Sequence, residues 1–163
     1  MNRDAIFQQV ADELGHRFDG EIKIGGHYVP LVRDGHTVYL SGQIPRVGDT
    51  VVVTGRVGEG VSLAEAQHAA QICAMRALAL LQRALGSLDA VRAILRVTVY
   101  VQCTDTFTQQ SEVADGASDL LYRVLGPAGA HTRTSVGVRQ LPKDAAVEVD
   151  LIASVGAAAA TAA

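Results

Sequence analysis

The segment from Thr132 to Ser154, TRTSVGVRQLPKDAAVEVDLIAS, constrains the fold more than any other part of the chain. Its residues alternate with a period of two, the mark of strands whose successive side chains point to opposite faces of a sheet. The spacing predicts two strands, 132–139 and 146–153, joined by a turn on Leu141-Pro142-Lys143-Asp144. In the second, Val147, Val149, Leu151 and Ala153 point one way and Glu148 and Asp150 the other. In the first, Thr132, Thr134, Val136 and Val138 share one face, which leaves Arg133, Ser135, Gly137 and Arg139 on the opposite one. A sheet face carrying Arg, Ser, Gly and two acids is too polar to lie under a helix. It is expected to meet water, a ligand or another subunit.

Pairing the two strands as an antiparallel hairpin, with Arg139 near Ala146, brings Arg133 and Glu148 onto one face, provided the register does not slip. An arginine fork matches a carboxylate with two parallel hydrogen bonds, and a nearby glutamate can orient or deprotonate a water. That pair suits hydrolysis of a small acidic substrate. A cross-strand ion pair worth at most ~1 kcal/mol is the plainer alternative.

The rest of the chain reads as ββ(β)αβαββ. Residues 3–14 form a short amphipathic helix capped by Asn2 and ended by Gly15. EIKIGGHYVPLV is extended and broken at Gly25-Gly26, Asp34-Gly35 is a turn, HTVYLSGQIPR is a strand stopping at Pro45, and TVVVT is a short third strand. Ser62-Leu63-Ala64-Glu65 is a capping box. Behind it Ala66, Ala69, Ala70, Cys73, Ala77, Leu80, Leu81 and Ala84 mark the packing face of a long helix ended by Gly86. AILRVTVYVQC (93–103) is a strand, and a second helix runs over 107–125 with Val113, Ala117, Leu120, Leu121 and Val124 as its stripe. This is an α+β chain with both helices on one face of a mixed sheet. Burying the bare face against copies of itself predicts a closed symmetric oligomer. Residues 1–20 read as an N-terminal helical extension, 21–155 as the domain, and 156–163 as a low-complexity, fraying tail.

Composition excludes several functions. A net charge of −3 and 4% aromatics, with no Trp, suit nucleic acid poorly. Cys73 and Cys103 form no spaced framework, so a reduced, cytoplasmic location is the simplest reading. No charged start followed by an apolar run is present, so no signal peptide is expected, and the most apolar segment, 72–81, is short and carries Arg76, so no membrane span is expected. The five histidines lack metal-ligand spacing, and no metal site is expected. His27 and His131 flank Tyr28 and Arg133 in sequence, as pocket lining or as surface turns.

HYVPLVRDGHTVYLSGQIP, the capped helix and TRTSVGVRQLPKDAAVEVDLIA together resemble the RidA/YjgF family of reactive-intermediate deaminases, also called L-PSP endoribonuclease-like. The resemblance covers about residues 22–154 and, in the N-terminal helix and the GRVGEGVSL joint, is closest to a longer branch of the family. It implies a chorismate-mutase-like fold assembled as a homotrimer with sites in intersubunit clefts. It further implies hydrolysis of 2-imino or enamine acids to 2-keto acids and ammonia, with no cofactor and a small-molecule carboxylate substrate. By the same resemblance Arg133 binds the carboxylate and Glu148 orients the water. Tyr28, Ser41, Ser135 and Asp115 line the cleft. Two positions depart from the family pattern: Ser135 where many members have Cys, and Asp115 where Asn is frequent. The same arginine-lined cleft could instead hold a keto acid or related metabolite without turnover, as a regulator. An RNA-cleaving or chaperone role, which the older names evoke, sits badly with the acidic balance.

Overall fold

The computed structural model describes residues 1–157. Helix α1 spans Arg3–Leu14; the Asn2 side chain accepts from the Ala5 N–H, and Gly15 closes it in the left-handed region at φ 70°. Asp4 anchors it by accepting from Ser87 Oγ, Leu88 N–H and Gln82 Nε2. Burial works to raise the Asp4 pKa, but these donors outweigh it and hold the carboxyl below its ordinary range.

Strands β1 (Leu31–Asp34) and β2 (Thr37–Gln43) form a hairpin on Asp34-Gly35. Four two-residue strands follow: β3 (Arg46–Val47) with β4 (Thr50–Val51), and β5 (Arg56–Val57) with β6 (Gly60–Val61). The expected strand over TVVVT shrinks to its first two residues. Helix α2 (Leu63–Leu85) starts at the expected capping box, both halves of which form. Strand β7 is Val91–Gln102, helix α3 is Gln110–Leu125, β8 is Thr132–Val138 and β9 is Val147–Val155. The expected α+β class with a mixed sheet stands. Of the expected tail, Gly156 is tied down by its N–H to Ala90 O and its carbonyl to Arg33, and residues 158–163 lie outside the described residues.

The expected hairpin does not form. The main sheet runs β1-β2-β9-β7-β8, so β7 lies between the two strands and pairs parallel with β8 and antiparallel with β9. Side-chain alternation is the same for a hairpin and for a connection that skips one strand. Such a skip needs only about 10 Å, well within reach of the residues after β8. The crossing is fastened by Gln102, fully buried at the end of β7. Its Oε1 accepts from Leu141 N–H at 2.8 Å, its Nε2 donates to Gly55 O and Asp144 Oδ1, and its N–H donates to Ala146 O.

This order also reverses the expected face of β8, while β9 keeps its acids on the bare side as expected. Val97, Val99 and Val101 of β7 stand level with Arg133, Ser135 and Gly137 of β8 and with Leu151, Val149 and Val147 of β9. Arg133 and Ser135 therefore face the helices, and Glu148 and Asp150 lie on the bare face with Thr98 and Tyr100. A polar strand tolerates the helix side here because β8 is an edge strand and meets the polar flank of α3. The core lies between the sheet and α2–α3. Helix α2 is buried almost all round, Ile72, Ala74, Met75 and Leu78 included, while Ala84, expected on its packing face, is exposed. The α2–α3 crossing is close: a Cβ on Gly116 would come within 2.9 Å of the Gln67 carbonyl carbon.

Candidate functional site

Glu148 projects from β9 beside a bulge in β2 between Leu40 and Gln43. Gly42 sits in that bulge, and its missing side chain leaves room for the glutamate. The two border a pocket of about 200 Å³, further lined by Tyr28, Arg46, Arg76 and Lys143. Burial raises the Glu148 pKa, and neighbouring Asp150 raises it further. Tyr28 is 48% exposed at the rim. Ser41 does not point its donor into the pocket. Its hydroxyl donates to Val29 O at 2.8 Å and its N–H to Pro30 O at 2.9 Å, so it ties the Tyr28 segment to β2. Lys143 and Asp144 each take the left-handed conformation at φ 58° in the crossing turn, which delivers Lys143 to the pocket wall.

Arg133 stands elsewhere. Its Nη1 donates to Asp115 Oδ1 at 2.8 Å and to Ser118 Oγ at 2.9 Å; its Nη2 donates to Ser111 Oγ at 2.8 Å and to Ser111 O. The Arg133 side chain is 20% exposed and that of Asp115 54%. The Ser118 hydroxyl also meets His131 Nε2 at 2.8 Å, and His131 Nδ1 meets Gly129 O at 2.6 Å. The carbonyl can only accept, so Nδ1 carries a proton and donates to it; with the ring neutral, Nε2 accepts a hydrogen bond from the Ser118 hydroxyl. His131 thus belongs to the Arg133 network. Ser135 lies two residues further along β8 on the same face, level with Val99.

The structure brings together Arg133 with Asp115, and Glu148 with Tyr28 and, through the tethered loop, Ser41. Within one chain it does not bring Arg133 to Glu148: they stand on opposite faces, on strands either side of β7. Their expected place on one face is therefore overturned, because the hairpin that would have supplied it is absent. Sequence reasoning missed Ser111, Ser118, Arg46 and Lys143. For Arg76 a signal existed: a charged residue inside the apolar run 72–81 is out of place unless something polar waits inside. Among the described residues, no three His, Cys, Asp or Glu side chains cluster as a metal site, and no helix is long and apolar enough to cross a membrane.

A family model described as Endoribonuclease L-PSP matches residues 19–155. The chain belongs to this family, the YjgF/RidA family. Protein TCP17 of Trypanosoma cruzi is 42% identical over 140 residues, covering 85% of this chain and 88% of that protein. Among solved L-PSP-like folds, Atu1372 of Agrobacterium tumefaciens, of unknown function, superposes with a TM-score of 0.84 at 35% identity, covering 94% of this chain and 95% of that one. E. coli TdcF, solved with bound serine, superposes with a TM-score of 0.60 at 26% identity, covering 82% and 91%. Membership of the L-PSP family fits a role in small-molecule or imine and enamine handling.

Proposed function

We propose that this chain hydrolyses 2-imino and enamine acids to 2-keto acids and ammonia, in clefts formed between copies of itself in a homotrimer. One observation carries the reading. Glu148 stands half-buried in an open pocket with its pKa raised, as a general base requires, while the carboxylate-binding fork, Arg133, occupies the opposite face of the same sheet. The two meet a single substrate only if they come from different subunits. The bare face supports assembly, because Val32 and Tyr39 lie exposed on it at 54% and 50%.

In this mechanism Arg133 grips the substrate carboxylate in place of part of its contact with Asp115. Tyr28 closes the rim, and Glu148 orients a water toward the C=N carbon. Addition of that water gives a carbinolamine. Proton transfer to nitrogen then expels ammonia and leaves the keto acid. An imine carbon is already electrophilic, so positioning and electrostatics suffice.

The test couples the protein to an amino-acid oxidase, with semicarbazide trapping residual imine. Wild type removes the imine, and Arg133→Ala and Glu148→Gln do not. Refolding the two inactive variants together restores part of the activity, because some clefts then combine an intact arginine with an intact glutamate. Failure of wild type to remove any imine overturns the reading. A second reading, a non-catalytic metabolite binder, draws on TdcF, which was solved with bound serine. Binding retained in Glu148→Gln without turnover in wild type favours it.

A further inference from the structure

Arg76 and Arg46 are two buried cations with no acid paired to either among the described residues. Arg76, 4% exposed in the middle of α2, donates to Gln43 Oε1 at 3.1 Å, Arg46 O at 2.7 Å and Lys23 O at 3.1 Å. All three acceptors are neutral, so its charge is hydrogen-bonded but not cancelled. Burial, with Arg46 repelling it, brings its pKa down to about 10. Arg46 is 9% exposed, and its buried Nε has no hydrogen-bond partner among the described residues. An orphaned donor on a buried guanidinium is a large unmet demand.

Arg46 and Arg76 form a wall between two cavities. The one on the far side, about 380 Å³, carries Asp19, Glu21 and Asp49 beside Arg17 and Lys23, and four of these form the ion pairs Arg17–Asp19 and Lys23–Asp49. It supplies its own counter-charge. The Tyr28 pocket does not. Lys23, Arg46, Arg76 and Lys143 line it, and Glu148 is the single acid among its lining residues. With Lys23 already paired to Asp49, two desolvated guanidiniums and Lys143 facing one acid attract a small anion strongly. At about 200 Å³ the pocket fits an anionic group with a few carbons.

We propose that the Tyr28 pocket is a second anion subsite, in which Arg46 and Lys143 hold a carboxylate or phosphate on the distal end of the ligand and Arg76 positions Arg46. Its extension to substrate choice rests on the deaminase reading above: with Arg133 taking the α-carboxylate, the preferred substrate is the imine of an amino acid whose side chain is itself anionic. The anion subsite itself does not depend on turnover.

The experiment has two arms on the full chain. In the first, thermal shift at constant ionic strength is followed with succinate, inorganic phosphate and propanoate. Succinate and phosphate raise the melting temperature more than propanoate does, and whichever acts at lower concentration identifies the anion. Arg46→Gln and the surface variant Lys143→Ala weaken that binding by about tenfold or more, whereas Arg92→Gln, at an exposed site outside the pocket, does not. In the second arm, imines generated from glutamate and from alanine are compared. Arg46→Gln lowers the glutamate-to-alanine ratio of kcat/KM by about tenfold. Phosphate and succinate binding that ignores both pocket variants overturns the subsite. Anion binding that depends on Arg46 without turnover of any imine leaves the subsite standing and removes the deaminase reading.

Discussion

A Cβ placed on Gly42 would stand 2.9 Å from the carboxyl carbon of Glu148 on the neighbouring strand. No side chain fits there while the glutamate keeps its place. The obstacle is the flexible end of a side chain rather than backbone, so Gly42→Ala displaces Glu148 and leaves the sheet intact. The melting temperature is expected to change by only a few degrees, about what 1 kcal/mol produces in a domain of this size. Imine hydrolysis should fall by about 10²-fold, because a general base moved by about 1 Å loses its alignment with the water. Parallel calorimetry and semicarbazide assays check this; unchanged activity in a folded variant removes Glu148 from the chemistry.

Asp115 holds the guanidinium that the substrate carboxylate is proposed to use. Asp115→Asn keeps a hydrogen-bond acceptor but removes the competing charge. More than half of the aspartate side chain is exposed, so the lost ion pair costs only about 0–1 kcal/mol. Steady-state kinetics on Asp115→Asn are expected to show a lower KM with little change in kcat. A higher KM would mean that the aspartate orients Arg133 rather than competes for it.

Much of the fold was legible because it rests on local signals. The caps at Asn2, Gly15, Ser62 and Gly86, the alternation in β9 and the stripe of α3 are each decided by residues close in sequence. Strand order was not legible, since the alternation of 132–138 and 147–155 is identical whether they are neighbours or flank a third strand. The decisive residue, Gln102, reads as an ordinary polar strand end; its role appears only when Gly55 and the crossing turn, through Leu141 and Asp144, converge on it from two distant segments. The site followed suit. The residue types were recognisable from the motifs, but the face each occupies depended on the missing strand. The orphaned donor of Arg46 is invisible without coordinates.

Burial raises the pKa of both Glu148 and Asp150, the latter against the opposing pull of Tyr100, Thr98 and Arg96. Their ordinary values are 4.5 and 3.8, and the folded values lie above these, so the folded chain binds protons more tightly than the unfolded one. The resulting contribution favours folding fully below the ordinary values and is lost as pH rises through the folded ones. Glu148→Gln/Asp150→Asn is therefore expected to gain stability over wild type at pH 7 and not at about pH 3, as read from urea midpoints at the two pH values. In the wild type, kcat/KM should rise with pH through an inflection above 4.5, reporting ionisation of the Glu148 base. An inflection at or below 4.5 would contradict the burial of that carboxyl.

Gln102→Leu tests the fastening of the crossing. The leucine is close in volume and suits a fully buried position, so any cost arises from polar groups rather than from a cavity. It leaves Leu141 N–H and Gly55 O without the partners they have at 2.8 Å and 2.9 Å, each costing about 1–3 kcal/mol if no water replaces the amide. The expected loss is about 2–4 kcal/mol in denaturant unfolding. Because the same turn carries Lys143 into the Tyr28 pocket, loosening it should also weaken phosphate binding at a temperature where the variant is still folded. Loss of stability with unchanged phosphate binding would place the turn's contribution to the pocket elsewhere than in Lys143.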